Sequence, residues 1–107
     1  MVVLCEDPDT LVRIAASKTL VSLTTKKLGK KKFCKRNGVE LCVKLLQDES
    51  DETKINALQT VSNIVEWPKI RQNFKEYLPI ITKLETSSNE LVARFALIAK
   101  SSINWVP

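Results

Sequence analysis

The sequence predicts an all-α fold, a right-handed solenoid of about two and a half stacked three-helix repeats. A segment that follows an acidic turn occurs three times, and Ala16, Ala57 and Ala96 mark the three copies at nearly equal spacing. The apolar side chains within each copy recur at steps of three or four, as on one face of a helix. A period of about 40 residues that consists only of helical patterns is typical of stacked helical repeats.

One long helix is predicted in each copy, at about residues 9–25, 51–66 and 89–105. Apolar side chains at helical spacing mark the face of each helix that we expect to be buried. In the three copies in turn they are Leu11, Val12, Ala15, Ala16, Leu20 and Leu23; Ile55, Leu58, Val61, Ile64 and Val65; and Leu91, Val92, Phe95, Ala96, Ala99 and Ile103.

Two of the long helices begin at capping signals. We predict that Asp7 caps the first one, with Pro8 at the first helical position, where its missing N–H costs nothing. Ser87 and Glu90 stand three residues apart before the third long helix, which is the spacing of a capping box.

Shorter helices are predicted between the long ones. Segment 38–46 is entered through Asn37 and Gly38, which supply a positive-φ turn, and segment 78–84 is its counterpart, with Pro79 near its first turn. Segments 27–35 and 68–76 are predicted to form a further short helix that crosses between repeats. The repeats would then be a partial first one at 1–36, a second at 37–76 and a third at 77–107. Because residues 1–4 resemble the last turn of a helix, we interpret the chain as the C-terminal piece of a longer solenoid or as a short solenoid that leans on partners.

The sequences NGVELCVKLL at 37–46 and INALQTVSNI at 55–64 resemble the armadillo consensus, and the resemblance covers essentially the whole chain. Three helices per repeat also favour the armadillo unit over the two-helix HEAT unit. The closing stretch 78–107, which ends in Ile103-Asn104-Trp105-Val106-Pro107, is similar to an armadillo-repeat subunit of the radial spokes of motile cilia. This resemblance implies a non-catalytic scaffold of the ciliary axoneme whose partners are other radial spoke subunits or another axonemal component. The alternative is an armadillo adaptor that binds peptides in the cytoplasm or nucleus.

In armadillo proteins the long third helix lines a concave groove, so the resemblance places Lys18, Ser22, Gln59 and Asn63 in that groove. Asn63 matches an asparagine whose amide holds the backbone of an extended peptide in many family members, and a hydrogen bond within the groove wall is the alternative. Nuclear-import members carry a tryptophan four residues earlier. Since this chain has Gln59 and Lys18 at the corresponding positions, the resemblance disfavours the capture of basic nuclear-localisation peptides.

Trp67 and Trp105 each follow a long helix. A tryptophan at that place is expected to pack over the helix end and to seal the repeat. The alternative is an anchor that faces a partner, and Trp105 is the better candidate for that role because it lies near the end of the sequence.

All of the positive excess, a net charge of +5, lies in one segment. Without the seven basic residues of that segment, the chain has 10 basic and 12 acidic side chains. We expect this basic patch to bind an acidic protein surface, tubulin or a spoke neighbour. Nucleic acid is disfavoured because Phe33 is the only aromatic residue interleaved with the lysines. A localisation signal and a solvated face are the alternatives. The patch comprises Lys26, Lys27, Lys30, Lys31, Lys32, Lys35 and Arg36.

No catalytic residues, cofactor, metal or small-molecule substrate is predicted. The chain contains no histidine that could act as a general base, no glycine-rich phosphate loop and no Gly-x-Ser-x-Gly sequence. No apolar run reaches the length that a membrane span requires. Cys5, Cys34 and Cys42 form an odd set without paired spacing, which indicates reduced thiols.

Four acidic residues cluster before the second long helix, and a cation site is one interpretation of them. The segment has neither the glycine nor the spaced ligands of a calcium loop. We therefore expect a solvated turn whose acids complement the N-terminus of the next helix. The four residues are Asp48, Glu49, Asp51 and Glu52.

Overall fold

The computed structural model describes the backbone of residues 2–106 and the side chains of residues 4–106. Met1, predicted in the opening helical turn, and Pro107, predicted in the closing stretch, lie outside the described residues. Within 2–106 the regular structure is helical and no strand occurs. A 3₁₀ turn at Lys75–Tyr77 joins α6 to α7. The helices are α1 (Val2–Cys5), α2 (Thr10–Thr24), α3 (Lys27–Lys35), α4 (Gly38–Leu46), α5 (Asp51–Ile64), α6 (Pro68–Phe74), α7 (Leu78–Leu84) and α8 (Glu90–Ile103).

The three long helices α2, α5 and α8 lie side by side in chain order, with α5 in the middle. Helix α1 packs on α2, α4 packs on α5 and α7 packs on α8. Helix α3 crosses between α2 and α5, and α6 crosses between α4 and α8. This arrangement confirms the predicted solenoid of three-helix units. Helices α3, α4 and α7 have the predicted bounds, and Asn37 enters α4 at the predicted positive φ of 60°.

The predicted cap of α2 is wrong by two residues. Asp9, not Asp7, is the cap, and its Oδ1 accepts a hydrogen bond of 2.9 Å from the backbone N–H of Leu11. Asp7 instead accepts from the backbone N–H of Asp9 at 2.8 Å. Pro8 lies outside the helix because Nη1 of Arg13 donates to the carbonyl oxygens of both Asp7 and Pro8, which holds this turn away from helical geometry.

The other long helices are preceded by the same kind of hydrogen bond, in which a side-chain oxygen accepts from the backbone N–H of the capping residue two positions later. Oδ1 of Asp48 accepts from the backbone N–H of Ser50, which caps α5. Oγ of Ser87 accepts from the backbone N–H of Asn89, which caps α8. The capping box predicted between Ser87 and Glu90 is therefore wrong. The chain is still extended at Asn89, so α8 begins at Glu90.

Most of the predicted inward residues are buried, but four are exposed. Leu11 is 74% exposed, Leu91 is 50% exposed, and Ala15 and Leu23 are exposed as well. Helix α5 bonds to α2 at Ile14 and Val21. These residues lie on a different face of α2 from the exposed Leu11, Ala15 and Leu23. Since neighbouring helical residues point about 100° apart, the buried Val92 faces the core and Leu91 does not.

Two asparagines hold α5 against α2. They are seven residues apart, which is two helical turns, so their side chains lie on the same face of α5. Each side-chain amide nitrogen donates to one carbonyl oxygen and one hydroxyl oxygen of α2, and this uses both of its hydrogens. The bonds run from Asn56 Nδ2 to Ile14 O (3.2 Å) and Ser17 Oγ (3.0 Å), and from Asn63 Nδ2 to Val21 O (3.2 Å) and Thr24 Oγ1 (3.1 Å). We call these four bonds the amide ladder.

Thr53 carries a fully buried hydroxyl that has no hydrogen-bond partner among the described residues. The first and third copies have Val12 and Val92 at the corresponding positions. We predict that Thr53→Val stabilises the protein by about 1 kcal/mol, because it removes a buried polar atom whose burial is not compensated. Urea unfolding of the two proteins, followed by circular dichroism, measures this difference.

The control is Thr24→Val, which makes the same chemical change at another fully buried threonine. Oγ1 of Thr24 accepts a bond of the amide ladder from Asn63. This variant should therefore lose stability, by about 1–3 kcal/mol, because it leaves one amide hydrogen without an acceptor. Equal effects of the two substitutions would contradict the distinction between the two hydroxyls.

Candidate functional site

We use the name groove face for the side chains of α2, α5 and α8 that are exposed or half-buried. Lys18 and Ser22 lie exposed on α2, whereas Gln59 and Asn63 lie half-buried on α5. Trp105, 56% exposed, follows α8. These five side chains do not converge on one pocket, and of the five only Trp105 lines the cleft described below.

The side chain of Asn63 is turned towards its neighbouring helix. Both hydrogens of its amide nitrogen are used in the amide ladder, by Val21 and Thr24 of α2. The sequence left two interpretations of the Asn63 amide, a bond to a peptide backbone and a bond within the groove wall. Its nitrogen makes the second kind of bond. Its carbonyl oxygen accepts no hydrogen bond from the described side chains, so Asn63 offers the groove an acceptor and not a donor.

A cleft of about 640 Å³ lies where the ends of α5 and α8 meet α6. Three large apolar side chains stand exposed around it: Leu97 is 55% exposed, Ile98 is 46% exposed and Trp105 is 56% exposed. An exposed apolar cluster at a concave place is typical of a binding site. The lining residues are Ser62, Val65, Glu66, Arg71, Leu97, Ile98, Ser101, Ser102 and Trp105.

Two hydroxyls of the cleft, those of Ser62 and Ser102, are available as hydrogen-bond acceptors. Oγ of Ser62 donates its hydrogen to the carbonyl oxygen of Leu58 at 3.1 Å, and Oγ of Ser102 donates to that of Ile98 at 3.0 Å. Each hydroxyl keeps its lone pairs for a ligand because its only hydrogen is bonded within its own helix. The carboxylate of Glu66 adds further acceptors. The cleft therefore suits an apolar ligand group that is flanked by N–H donors.

A cation of each crossing helix secures the end of the long helix that follows it. At the end of α5, Nζ of Lys30 from α3 lies 2.6 Å from Oε2 of Glu66. Beyond the end of α8, the guanidinium of Arg71 from α6 lies 5.1 Å from the centre of the Trp105 ring. Arg71 also donates to the carbonyl oxygens of Val65 (3.1 Å) and Glu66 (3.2 Å), so it ties the ends of α5 and α8 together. Trp105 thus covers the helix end and still presents an exposed ring surface to the cleft.

Sequence reasoning missed Leu97 and Ile98. The repeat period contained the signal, because Ile98 and Ser102 follow Gln59 and Asn63 by the interval that separates the second copy from the third. Extending the comparison of groove positions into the third copy would have placed an isoleucine where the second copy has a glutamine. That change replaces a polar groove position with an apolar one.

The acidic residues around the start of α5 bond to different groups of the protein. Asp48 pairs with Arg13, with Oδ2 and Nε 2.8 Å apart, and both side chains are about nine-tenths buried. Asp51 pairs with Lys54 at 3.7 Å. It also accepts from the side-chain amide of Asn89 at 3.3 Å. Asp48 and Asp51 therefore link neighbouring repeats. Within residues 4–106, no group of three or more acidic or cysteine side chains is arranged to hold a metal ion.

Of the seven basic-patch residues, Lys30 is withdrawn from the surface. It is 8% exposed and paired with Glu66, so the expectation of seven exposed cations has to be corrected to six. The other six, Lys26, Lys27, Lys31, Lys32, Lys35 and Arg36, are exposed on and around α3.

No helix of the described part has both the length and the apolar character to cross a bilayer.

The three cysteines are free thiols in the described structure. Cys5 and Cys42 are buried and Cys34 is half-buried. Burial raises the pKa of all three thiols, most strongly for Cys42, which is fully enclosed. Since only the thiolate is a good nucleophile, none of the three is set up for covalent chemistry at neutral pH.

We predict that iodoacetamide at pH 8 modifies Cys34 first and Cys42 last. The raised pKa leaves little thiolate on the buried residues, and enclosure of Cys42 blocks the reagent. Peptide mapping by mass spectrometry after timed quenching measures the order. In urea the three rates should converge, because unfolding returns each thiol to its ordinary pKa. Fast modification of Cys42 in the folded protein would contradict the burial described above.

No protein-family model matches this chain, and no curated protein matches it significantly. Among solved structures, a computationally designed armadillo repeat protein for modular peptide recognition is similar, with a TM-score of 0.88 and 27% identity over 96% of this chain. Another designed armadillo repeat protein gives a TM-score of 0.83 at 27% identity over 96% of this chain. An engineered protein gives a TM-score of 0.86 at 24% identity over 94% of this chain. The chain spans 42–45% of the length of these structures and has the fold of an armadillo-repeat solenoid.

Proposed function

We propose that this chain is a non-catalytic protein-binding scaffold that holds an extended peptide on its groove face, with an apolar side chain of the peptide in the cleft. The observation that carries the proposal is the convergence of Leu97, Ile98 and Trp105, all about half exposed, on one cleft. Burial of one aliphatic side chain there is worth about 1.5–3 kcal/mol, enough to select a peptide.

The polar groups of the groove fit the backbone of such a peptide. The free oxygen of Asn63 and the hydroxyls of Ser62 and Ser102 are acceptors, so they suit peptide N–H groups. The similarity to a protein designed for modular peptide recognition supports the same kind of ligand. The groove differs from one that captures lysine side chains, since Lys18 and Gln59 stand where tryptophans would be needed.

Peptide selection tests this proposal. The longest dimension of the molecule is 40 Å, which an extended peptide of about twelve residues would span. We expect a phage-displayed library of random peptides of that length to yield sequences enriched in one aliphatic or aromatic position. The affinity of a selected synthetic peptide, measured by fluorescence anisotropy, should fall about tenfold or more in Ile98→Lys, because a charged ammonium replaces the apolar wall.

Leu91→Lys is the matched control. Leu91 lies on the same helix, is 50% exposed and does not line the cleft, so this variant makes the same change in charge at similar exposure. It should bind the selected peptide about as well as the parent protein. Equal losses in the two variants, or selected peptides without an apolar position, would overturn the proposal.

We further propose that the scaffold serves in the radial spokes of motile cilia, with spoke or other axonemal proteins as partners. This narrower role is supported by the resemblance of the closing stretch, and the peptide-binding adaptor of the cytoplasm or nucleus is its rival. Fractionation of motile cilia separates the two roles. A spoke subunit should stay with axonemes after detergent extraction and leave at high salt or in chaotrope, whereas release with the detergent-soluble fraction would favour the adaptor.

A further inference from the structure

Helix α3 is a rigid platform with one outward face. Its inward side carries Gly29, Lys30 and Phe33, which are all buried. A Cβ atom at Gly29 would lie 2.0 Å from the carbonyl oxygen of Leu23, so α3 approaches the end of α2 as closely as a glycine allows. The ion pair between Lys30 and Glu66 fixes α3 to the end of α5. The outward face is therefore held in place by contacts with its neighbouring helices.

The outward face of α3 is strongly basic. At about 100° per residue, the exposed side chains follow one another around the helix in the order Lys27, Lys31, Lys35, Leu28, Lys32. Lys26 and Arg36 flank them at the two ends of the helix. None of these six cations is within ion-pair distance of a carboxylate anywhere in the part of the chain that the structure describes. The charge of this face is thus available to a partner.

Leu28 stands inside the basic arc and is 65% exposed. Its lysine neighbours surround a side chain that gains nothing from water. A partner that offered only charged groups would leave the side chain of Leu28 without an apolar contact. The combination of Leu28 with Lys31 and Lys32 in the next turn suits a partner that presents carboxylates around an apolar side chain.

We propose that the outward face of α3 is a second docking surface, separate from the groove face, for an acidic polypeptide segment that carries an apolar side chain. The row of Lys27, Lys31 and Lys35 rises about 6 Å per step, since each step is four helical residues. Carboxylates spaced four apart on a helix repeat at the same distance, and alternate residues of an extended strand repeat at about 6.6 Å. An acidic segment of either form can therefore pair with successive lysines.

The geometry favours an acidic polypeptide over a bilayer. A helix that lies in a membrane interface buries its apolar side in the lipid, but the apolar side of α3, including Phe33, is buried in the protein core. It also favours a polypeptide over nucleic acid. The face has six cations of which five are lysines, and Phe33, the aromatic residue of this helix, is 7% exposed and unable to stack on a base.

The test uses fluorescence anisotropy with three probes at about 0.15 M salt, where the Debye length is about 8 Å. The first is a labelled peptide of glutamates with one central leucine, and the second is the same peptide with serine in place of leucine. The third is a labelled DNA duplex. Vesicles of phosphatidylserine and phosphatidylcholine are tested in parallel by co-sedimentation.

The double substitution Lys31→Glu, Lys32→Glu should weaken the leucine peptide about tenfold or more, because it reverses two charges on the platform without touching the Lys30 pair. The control, Lys69→Glu with Lys83→Glu, changes the net charge equally at exposed lysines of α6 and α7. It should change the affinity by no more than about threefold. Equal losses in the two double variants would overturn the proposal by showing that net charge alone governs binding.

Leu28→Gln separates a polypeptide partner from a general polyanion. It should weaken the leucine peptide several-fold and leave the serine peptide and the salt dependence unchanged, because only the apolar contact is removed. The parent protein should also bind the leucine peptide more tightly than the duplex or the vesicles. Tighter binding of DNA or vesicles, with no effect of Leu28→Gln, would overturn the proposal in favour of those ligands. Unchanged circular dichroism confirms that each variant is folded.

Discussion

The amide ladder between α5 and α2 is the interaction on which the rest of the structure depends. Two asparagines, Asn56 and Asn63, place four hydrogen bonds between α5 and α2, which pack side by side. Hydrogen bonds of this kind require a fixed register, since each amide must meet one carbonyl and one hydroxyl. A shift of one residue would leave these half-buried donors unpaired, at about 1 kcal/mol or more each. The ladder therefore sets how one repeat stacks on the next, and with it the shape of the groove face.

The second stacking interface, between α5 and α8, is built differently from the same repeat. Phe95 and Ser102 lie one repeat period after Asn56 and Asn63, so the third copy has no asparagine at either ladder position. Phe95 packs against the core, where the contact is apolar and places less constraint on register. Instead of an amide ladder, Arg71 ties the ends of α5 and α8 together. Its guanidinium donates to the carbonyl oxygens of Val65 and Glu66 and lies over the ring of Trp105. The cleft lies at this interface.

Sequence periodicity predicted the fold because every long helix keeps its small or apolar residues in step, and α3 and α4 have the predicted bounds. It failed at the caps of α2 and α8. In α2 the two candidates, Asp7 and Asp9, are chemically equivalent as caps, and Asp7 lies in a turn whose carbonyl oxygens bond to Arg13. It also could not separate Lys30 from its neighbours. Six lysines look alike in the sequence, and the position of Glu66, in the following repeat, determines which one is buried. The sequence predicted that this segment is basic. Which of its lysines are exposed depends on a contact with a residue distant in the chain.

The two proposed surfaces meet at one carboxylate. Glu66 lines the cleft and also holds Lys30, which anchors the inward side of α3. A peptide cation that bound Oε2 of Glu66 would compete with Lys30 for that oxygen, and loss of the ion pair would leave a buried ammonium without its partner. The groove is thus biased against basic ligands by the contribution of this ion pair to the stability of α3, in addition to lacking tryptophan slots. An apolar side chain can fill the cleft without disturbing Glu66. The ion pair that orients α3 therefore also favours an uncharged side chain in the groove.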